Sequence, residues 1–400
     1  MQHITRRGFA IAAGLTLANS GLRAQTVGVT STEIKLGQTM PYSGPASAYG
    51  AVGRAEVAYF AMVNAQGGVN GRKVNVISLD DGYVPSKTVE ATRRLVEDEQ
   101  VLAMFAPLGT APNSATAKYL LQKGVPNLFI GSGASKWSNH VELPLSMGGA
   151  PSYRIEAAIY VKYILQQKPD ARIAIIWQND DLGKDYIAGI KDVLGTTRDK
   201  QLVASVSYEV TDATVDSQAV TLQGSNADAV IIAATPKFAA QFIRKIFDLG
   251  WHPLKFLSNA SMGVAAVLRP AGAEKSLGVM SATYFKDPLD PAWNDDAGMN
   301  AYRAMMTQYL PGSDAGDAAY LTGYGWAVMM HQVLKQCGND LSRANMMRQA
   351  AALHDLEVGV WLPGIKINTS PTRHAPINQL QLVRFNGTGI ERFGQLIDAD

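Results

Sequence analysis

Two turns in the first third of the chain have the residue types of an anion-binding site. An apolar run at residues 101–105 breaks at 107–110 (Pro-Leu-Gly-Thr), and a second run at 125–130 ends in the small residues 131–135 (Gly-Ser-Gly-Ala-Ser). Small residues let a ligand approach the backbone, and unpaired N–H groups at the start of a helix favour negative charge. The same pattern is typical of tight strand–helix connections, so taken alone it leaves both interpretations open.

The elements around these turns alternate between strand and helix patterns. Four such alternations up to the second turn predict a doubly wound parallel sheet, in which both turns lie at carboxyl ends of strands, where ligands bind. Residues 146–151 indicate a crossing to a second sheet, because the alternation restarts after them. Residues 279–285 are predicted to form a strand that returns to the first lobe. After a third crossing at 358–364, strands are predicted at 365–368 and 379–385.

The predicted fold class is therefore α/β, with two doubly wound αβα lobes joined by crossovers. An export signal is predicted at residues 1–24. The first lobe is predicted to comprise residues 25–148 and 279–357. The second is predicted to comprise residues 149–278 and 358–400.

The first 24 residues have the composition of an export signal. Arg6 and Arg7 precede a short apolar run at residues 10–18, and cleavage is expected near Ala24. The arginine pair resembles a twin-arginine signal, but ordinary secretory signals also carry such pairs, so the export route stays open. We therefore expect a periplasmic protein. Because no cysteine stands at the end of the signal, we expect no lipid anchor.

Charge and residue usage argue against several classes of function. Removal of the export signal takes away three arginines and no acid, which changes the formal net charge of the 400-residue chain from +2 to −1. A nucleic-acid partner is therefore not expected. With Cys337 as its single cysteine, the chain must be stabilised by its core and not by internal disulfides. The six histidines show no metal-ligand spacing and no nucleophile motif is present, so we expect no metal, cofactor or catalytic residue.

Three segments resemble a known family. These are residues 43–50 (Ser-Gly-Pro…Tyr-Gly), 64–71 (Asn-Ala-Gln-Gly-Gly-Val-Asn-Gly) and 80–85 (Asp-Asp…Pro). They are similar to the leucine/isoleucine/valine-binding proteins, the type I periplasmic binding proteins of ABC importers. The resemblance implies two lobes that close over a solute, with three hinge strands between them. It also implies a monomer that delivers its ligand to two permease subunits, which work with two cytosolic ATPases.

The resemblance also implies positions for the ligand contacts. The family's serine or threonine that binds the solute carboxylate falls on Thr110. The small-residue turn that adds further carboxylate contacts falls on Gly133 and Ser135, in agreement with the anion-binding interpretation of these turns. The family's pocket aromatics fall on Tyr49 and Tyr320.

The second lobe departs from the family pattern. The acid that pairs with an amino acid's ammonium falls on Ala260, and two pocket tyrosines fall near Thr235 and on Leu182. Burying an ammonium without a partner is costly, so we expect a carboxylate with an apolar or aromatic tail. Asp180 or Asp181 could instead supply the charge, which keeps a branched-chain amino acid open. From other classes, an enzyme or a ligand-sensing module on the same fold remains the alternative.

Overall fold

Two β-sheets, one of five strands and one of seven, organise the chain. The computed structural model describes residues 26–398, and the predicted export signal lies outside the described residues. Strands and helices alternate through both halves, so the predicted fold class, α/β with two doubly wound lobes, is confirmed. We call the five-stranded sheet with its helices the first lobe, and the seven-stranded sheet with its helices the second lobe.

Parallel strands form the whole of the first sheet. They are β1 (Glu33–Met40), β2 (Lys73–Asp80), β3 (Ala103–Phe105), β4 (Asn127–Ile130) and β5 (Ser146–Gly148). Their order is β2-β1-β3-β4-β5, and β1 runs in register with β2 from Glu33 opposite Lys73 to Met40 opposite Asp80. The last five residues of β1 are buried, as expected for a central strand covered by helices on both faces.

The second sheet is mixed. Its strands are β6 (Ile173–Gln178), β7 (Leu202–Tyr208), β8 (Ala229–Ala233), β9 (Leu254–Leu257), β10 (Met280–Thr283), β11 (Gln379–Phe385) and β12 (Ile390–Asp398). The order is β12-β11-β10-β9-β8-β6-β7, parallel from β7 to β10 and antiparallel from β10 to β12. All residues of β8 are buried, which places it in the core of the second lobe.

Helices connect and cover the strands. Those that precede β10 are α1 (Gly50–Ala65), α2 (Pro85–Arg93), α3 (Thr110–Gln122), α4 (Tyr153–Gln167), α5 (Asp181–Leu194), α6 (Asp216–Gln223), α7 (Pro236–Asp248), α8 (Arg269–Ala271) and α9 (Ala273–Ser276). Those that follow it are α10 (Ala297–Tyr309), α11 (Ala318–Cys337) and α12 (Arg343–Ala350). Helices α10 and α11 pack on α1, and α12 packs on α11, so this late segment belongs to the first lobe.

One predicted strand belongs to the other sheet. Strand β10 is hydrogen-bonded between β9 and β11, so the prediction that residues 279–285 return to the first lobe is wrong. The N–H of Gly278 donates to the carbonyl of Phe385 in β11, which keeps the preceding turn within the second lobe. The crossing follows the strand instead, where Phe285 pairs with Trp361 of the later crossing segment.

The end of the chain also differs from prediction. Residues 365–368 form no strand and contribute only an isolated pairing of Leu356 with Ile367. Strand β11 has its predicted bounds, whereas β12 was not predicted. Most residues of β12 are exposed or partly exposed, as in an edge strand, and it therefore lacks the apolar alternation that marks a half-buried strand.

A close helix contact orders the first lobe. A Cβ atom on Gly323 of α11 would lie 2.2 Å from the carbonyl oxygen of Val52 in α1. Glycine therefore lets the two helices approach closely. Since α1 begins next to Tyr49 and α11 begins next to Asp317, this contact fixes the relative positions of two helix starts.

We predict that Gly323→Ala destabilises the protein by about 1–3 kcal/mol, because the added methyl group forces α11 away from α1. Gly224→Ala is the matched control, since a Cβ at Gly224 meets no atom closer than 3.5 Å. Urea unfolding measures the free energy of unfolding of both variants. Equal stability of the two variants would contradict the close-packing argument.

Candidate functional site

A cavity of about 100 Å³ lies between the two lobes. Its wall includes residues that follow β2, β3 and β4 in the first sheet and β6, β8 and β9 in the second. The carboxyl ends of the parallel strands therefore face one another across it. Aromatic side chains form much of the wall: Tyr49, Tyr83, Tyr153, Tyr284, Phe285 and Trp326.

The first predicted turn supplies one end of the cavity. Gly109 lines the wall with a φ of 111°, and a Cβ there would lie 2.6 Å from the ring of Tyr83, so this turn requires glycine. Helix α3 begins at Thr110, and the first N–H groups of a helix have no acceptor within the helix. The structure thus aims the start of α3 at the cavity, which suits an anion.

Thr110 lies directly behind this wall. Its side chain is 1% exposed, and its hydroxyl is 2.7 Å from the hydroxyl of Ser132, which lines the cavity in the second predicted turn. The two turns predicted from sequence are therefore brought together, and the two hydroxyl groups orient each other.

Tyr153 joins the second lobe to the same turns. Its N–H donates to the Gly133 carbonyl at 2.8 Å, and its ring packs where a Cβ of Gly133 would stand. Burial raises the pKa of the Tyr153 hydroxyl to about 12, while the Gly133 N–H and the Thr110 side chain act to lower it. A hydroxyl from the second lobe thus lies beside the anion-binding turns.

Three predicted residues of the second lobe line the cavity. Leu182 stands in the first turn of α5, Thr235 caps α7, and Ala260 lies in a short 3₁₀ turn. The Thr235 N–H donates to the Tyr208 hydroxyl at 2.9 Å, which fixes this helix start. These three side chains give this part of the wall a mixed apolar and hydroxyl character.

Tyr49 reaches across the cavity. Its hydroxyl lies 3.3 Å from the hydroxyl of Ser261 in the second lobe, and burial raises its pKa. Tyr49 is thus placed on the cavity wall, whereas Tyr320 is not: it is buried on α11, and its neighbours Asp317 and Thr322 line the cavity in its place.

Ser135 has a different position from the predicted one. Its N–H donates to Oδ2 of Asp185 at 2.5 Å, and its hydroxyl donates to Oδ1 at 2.9 Å. Both donors are therefore taken by a carboxylate of the second lobe. Ser135 closes the space between the lobes and does not line the cavity.

Lys136 makes a second contact between the lobes. Its ammonium lies 2.6 Å from Oδ2 of Asp181 on α5 and 2.5 Å from the hydroxyl of Ser114 on α3. Burial acts to raise the pKa of Asp181, but Lys136, Lys184 and Ser114 together outweigh this effect and hold the pKa below its ordinary value. This aspartate is thus engaged outside the cavity.

Asp180 is engaged as well. Its Oδ1 accepts the Leu182 N–H at 2.9 Å as the cap of α5, and its Oδ2 accepts from Gln178 at 2.7 Å. Burial raises its pKa. The structure therefore places both candidate replacements for the missing acid in contacts within the protein.

Comparison with known proteins decides the family. The family model described as periplasmic binding protein matches residues 33–389. The chain belongs to the periplasmic binding proteins.

Relatives and solved structures agree with this membership. Leu/Ile/Val-binding protein homolog 7 of Brucella abortus (strain 2308) is 24% identical over 355 residues, covering 82% of this chain and 83% of the relative. A branched-chain amino acid ABC transporter protein of Thermus thermophilus with bound valine superposes with a TM-score of 0.81 at 15% identity. The match covers 92% of this chain and 97% of that one. An ABC transporter solute-binding protein of R. palustris in complex with benzoate superposes with a TM-score of 0.75 at 18% identity, and the match covers 92% of this chain and 98% of that one.

Within residues 26–398, no helix combines the length and apolar composition needed to cross a bilayer. In the same part of this binding protein, no group of three or more His, Cys, Asp and Glu side chains could hold a metal ion.

Several wall residues of this binding protein were missed from the sequence. Tyr153 and Glu156 lie at the start of a predicted helix, and nothing local to them signals a cavity. Tyr83 has a φ of 63°, which follows from a turn that the sequence marks by Asp81 and Gly82. Trp326 belongs to an aromatic cluster on α11 that suits core packing and cavity lining equally well.

The contact between Lys136 and Asp181 predicts a shift in lobe closure. Lys136→Met should favour more open conformations, since a partly exposed ion pair contributes about 0.2–1 kcal/mol. Small-angle scattering of the ligand-free protein should therefore give a larger radius of gyration. Lys184→Met is the matched control, because Lys184 lies 3.7 Å from the same aspartate within the second lobe. Identical scattering from both variants would contradict the role of Lys136.

Proposed function

We propose that the protein is the solute-binding component of an ABC importer and that its ligand is a small carboxylate with an apolar or aromatic tail. The observation that carries this proposal is a cavity with an anion-suited helix start at one end and aromatic side chains around the rest. Pockets of this kind bind by burying an apolar body and fixing its orientation with a few polar groups.

The anion end supports a carboxylate. Helix α3 begins directly after Gly109 in the wall, and the hydroxyl groups of Thr110 and Ser132 stand 2.7 Å apart beside it. The Tyr153 hydroxyl adds a donor from the opposite lobe. A carboxylate among these hydroxyl groups would accept hydrogen bonds from both lobes, which favours a closed complex.

The tail end supports a hydrophobic group. Leu182, Ala260 and Met262 stand in the second-lobe wall, and Trp326 and Phe285 complete it. Benzoate in the R. palustris protein and valine in the T. thermophilus protein are both small carboxylates with apolar parts. Between these two chemistries, the alanine at position 260 favours an aromatic or other hydrophobic acid.

A branched-chain amino acid is the second candidate. The Brucella relatives are named Leu/Ile/Val-binding proteins, which favours this candidate. For either ligand, we propose a periplasmic, monomeric protein that binds without catalysis and delivers its solute to a membrane permease. Hinge movement about the segments that link the lobes would open the cavity.

The anion end yields a test at Thr110. Thr110→Val should weaken binding of the ligand about tenfold or more, because a lost hydrogen bond to a charged group costs about 1.5–3 kcal/mol. Thr116→Val is the matched control: Thr116 is buried on the same helix, and its hydroxyl donates to Asn113. Calorimetric titration measures both variants. Unchanged affinity in Thr110→Val would remove this residue from the site.

The ligand class yields a second test. We expect benzoate-like or phenylpropanoid acids to raise the melting temperature in a thermal-shift screen, since a ligand bound by the folded state stabilises it. Leucine and valine serve as the comparison, and calorimetry confirms each hit. Binding of the amino acids alone, abolished by Asp180→Asn or Asp181→Asn, would establish the second candidate and overturn the proposed tail.

A further inference from the structure

Glu156 places a carboxyl group in the wall of the cavity. It stands on α4, one turn after Tyr153, and it is 1% exposed. Its Oε1 accepts hydrogen bonds from the Tyr160 hydroxyl and from the N–H of Asn259, the latter at 2.6 Å. Oε2 receives neither of these two bonds. The Tyr186 phenol on α5 also faces the carboxyl group and acts to lower its pKa.

The location of this carboxyl is informative. Asn259 precedes Ala260, the position at which the sequence lacks the acid that the resemblance implied. Because the Asn259 N–H is held by Glu156, the carboxyl group lies beside that position, although it comes from a helix about a hundred residues earlier. The second lobe therefore does have an acidic side chain at this part of the wall.

We propose that Glu156 binds a hydrogen-bond donor on the ligand, so that the solute is a carboxylate bearing an ammonium or hydroxyl group and not a plain hydrocarbon acid. This inference rests on the proposed function, namely a small carboxylate in this cavity, and it specifies the polar chemistry of the ligand. Glu156 would act as a specificity-determining residue.

Burial gives the proposal its physical basis. A fully buried carboxyl is costly unless it is paired or hydrogen-bonded, and among the described residues no lysine or arginine pairs with Glu156. Its position in a ligand cavity provides the place where a partner can enter. A ligand donor would add a hydrogen bond to those that Tyr160 and Asn259 give, and an ammonium would also neutralise the charge.

Glu156 titrates near neutral pH because it is buried, and four titratable groups face it. They are the phenol groups of Tyr153 and Tyr160 on its own helix, Tyr186 on α5 and Tyr284 after β10. Burial raises the pKa of each phenol, so all four are neutral at pH 6–8. Burial also raises the pKa of Glu156 to about 7, against the opposing effects of Tyr160, Asn259 and Tyr186.

Matched ligand pairs test the proposal. The pairs are phenylalanine with 3-phenylpropanoate, leucine with 4-methylpentanoate, and 4-hydroxyphenylacetate with phenylacetate. We expect the wild-type protein to bind the donor-bearing member of at least one pair tenfold or more tightly in calorimetric titrations. Equal or weaker binding of the donor-bearing member in every pair would overturn the inference while leaving the proposed function intact. Absence of binding by every acid would overturn the proposed function itself.

Variants of Glu156 assign the preference. Glu156→Leu should reduce the ratio of the affinities for the donor-bearing and the donor-free acid to about one. Continued binding of the donor-free acid shows that the variant folds. Glu156→Gln should abolish a preference for ammonium but keep part of a preference for hydroxyl, because an amide still forms hydrogen bonds with a hydroxyl. Glu56→Gln is the matched control, since Glu56 is fully buried in the first lobe, hydrogen-bonded to Gln38 and outside the cavity wall. A ratio unchanged in both Glu156 variants would overturn the inference.

A pH series on the wild-type protein gives an independent readout if Glu156→Leu does not fold. Protonation of Glu156 below its pKa of about 7 removes the charge that attracts an ammonium. An amino-acid ligand should therefore bind about tenfold more weakly at pH 6 than at pH 8, while its donor-free partner is unaffected. Parallel pH curves for the two members would contradict the role of Glu156.

Discussion

Polar groups buried between the lobes must find partners, and in this protein many of those partners stand on the opposite lobe. The Tyr49 hydroxyl meets Ser261, and Ser135 gives both of its donors to Asp185. An unpaired buried polar group is costly, so each contact favours apposition of the lobes. The cavity is what remains where the two lobes do not touch, and Tyr49 and Ser261 contribute both to its wall and to the contact between the lobes.

This constraint explains the division of roles among neighbouring residues. On the loop after β4, Ser132 turns toward the cavity whereas Ser135 and Lys136 turn toward α5. Residues three or four positions apart on this loop thus face either the cavity or the other lobe. The contacts of Ser135 and Lys136 with α5 limit the room that is left for the cavity beside them.

The fold was accessible from sequence because strand and helix periodicity is local. Four wall positions, Tyr49, Leu182, Thr235 and Ala260, followed instead from the resemblance to a known family. The predictions failed where contacts between residues distant in sequence determine the structure. The partner of Ser135 lies 50 residues later, so no nearby pattern could show that its hydroxyl is occupied. Strand β10 joins the second sheet through β11, about a hundred residues further along. The cavity position of Glu156 depends on how α4 meets the loop after β9.

The first lobe is closed by a residue from late in the chain. Arg343, at the start of α12, donates to the carbonyls of Val101 and Leu102 at 2.9 and 2.8 Å. The second sheet likewise waits for β11 and β12. Each lobe therefore needs a segment that is distant in sequence, so the two lobes cannot fold one after the other as separate domains do.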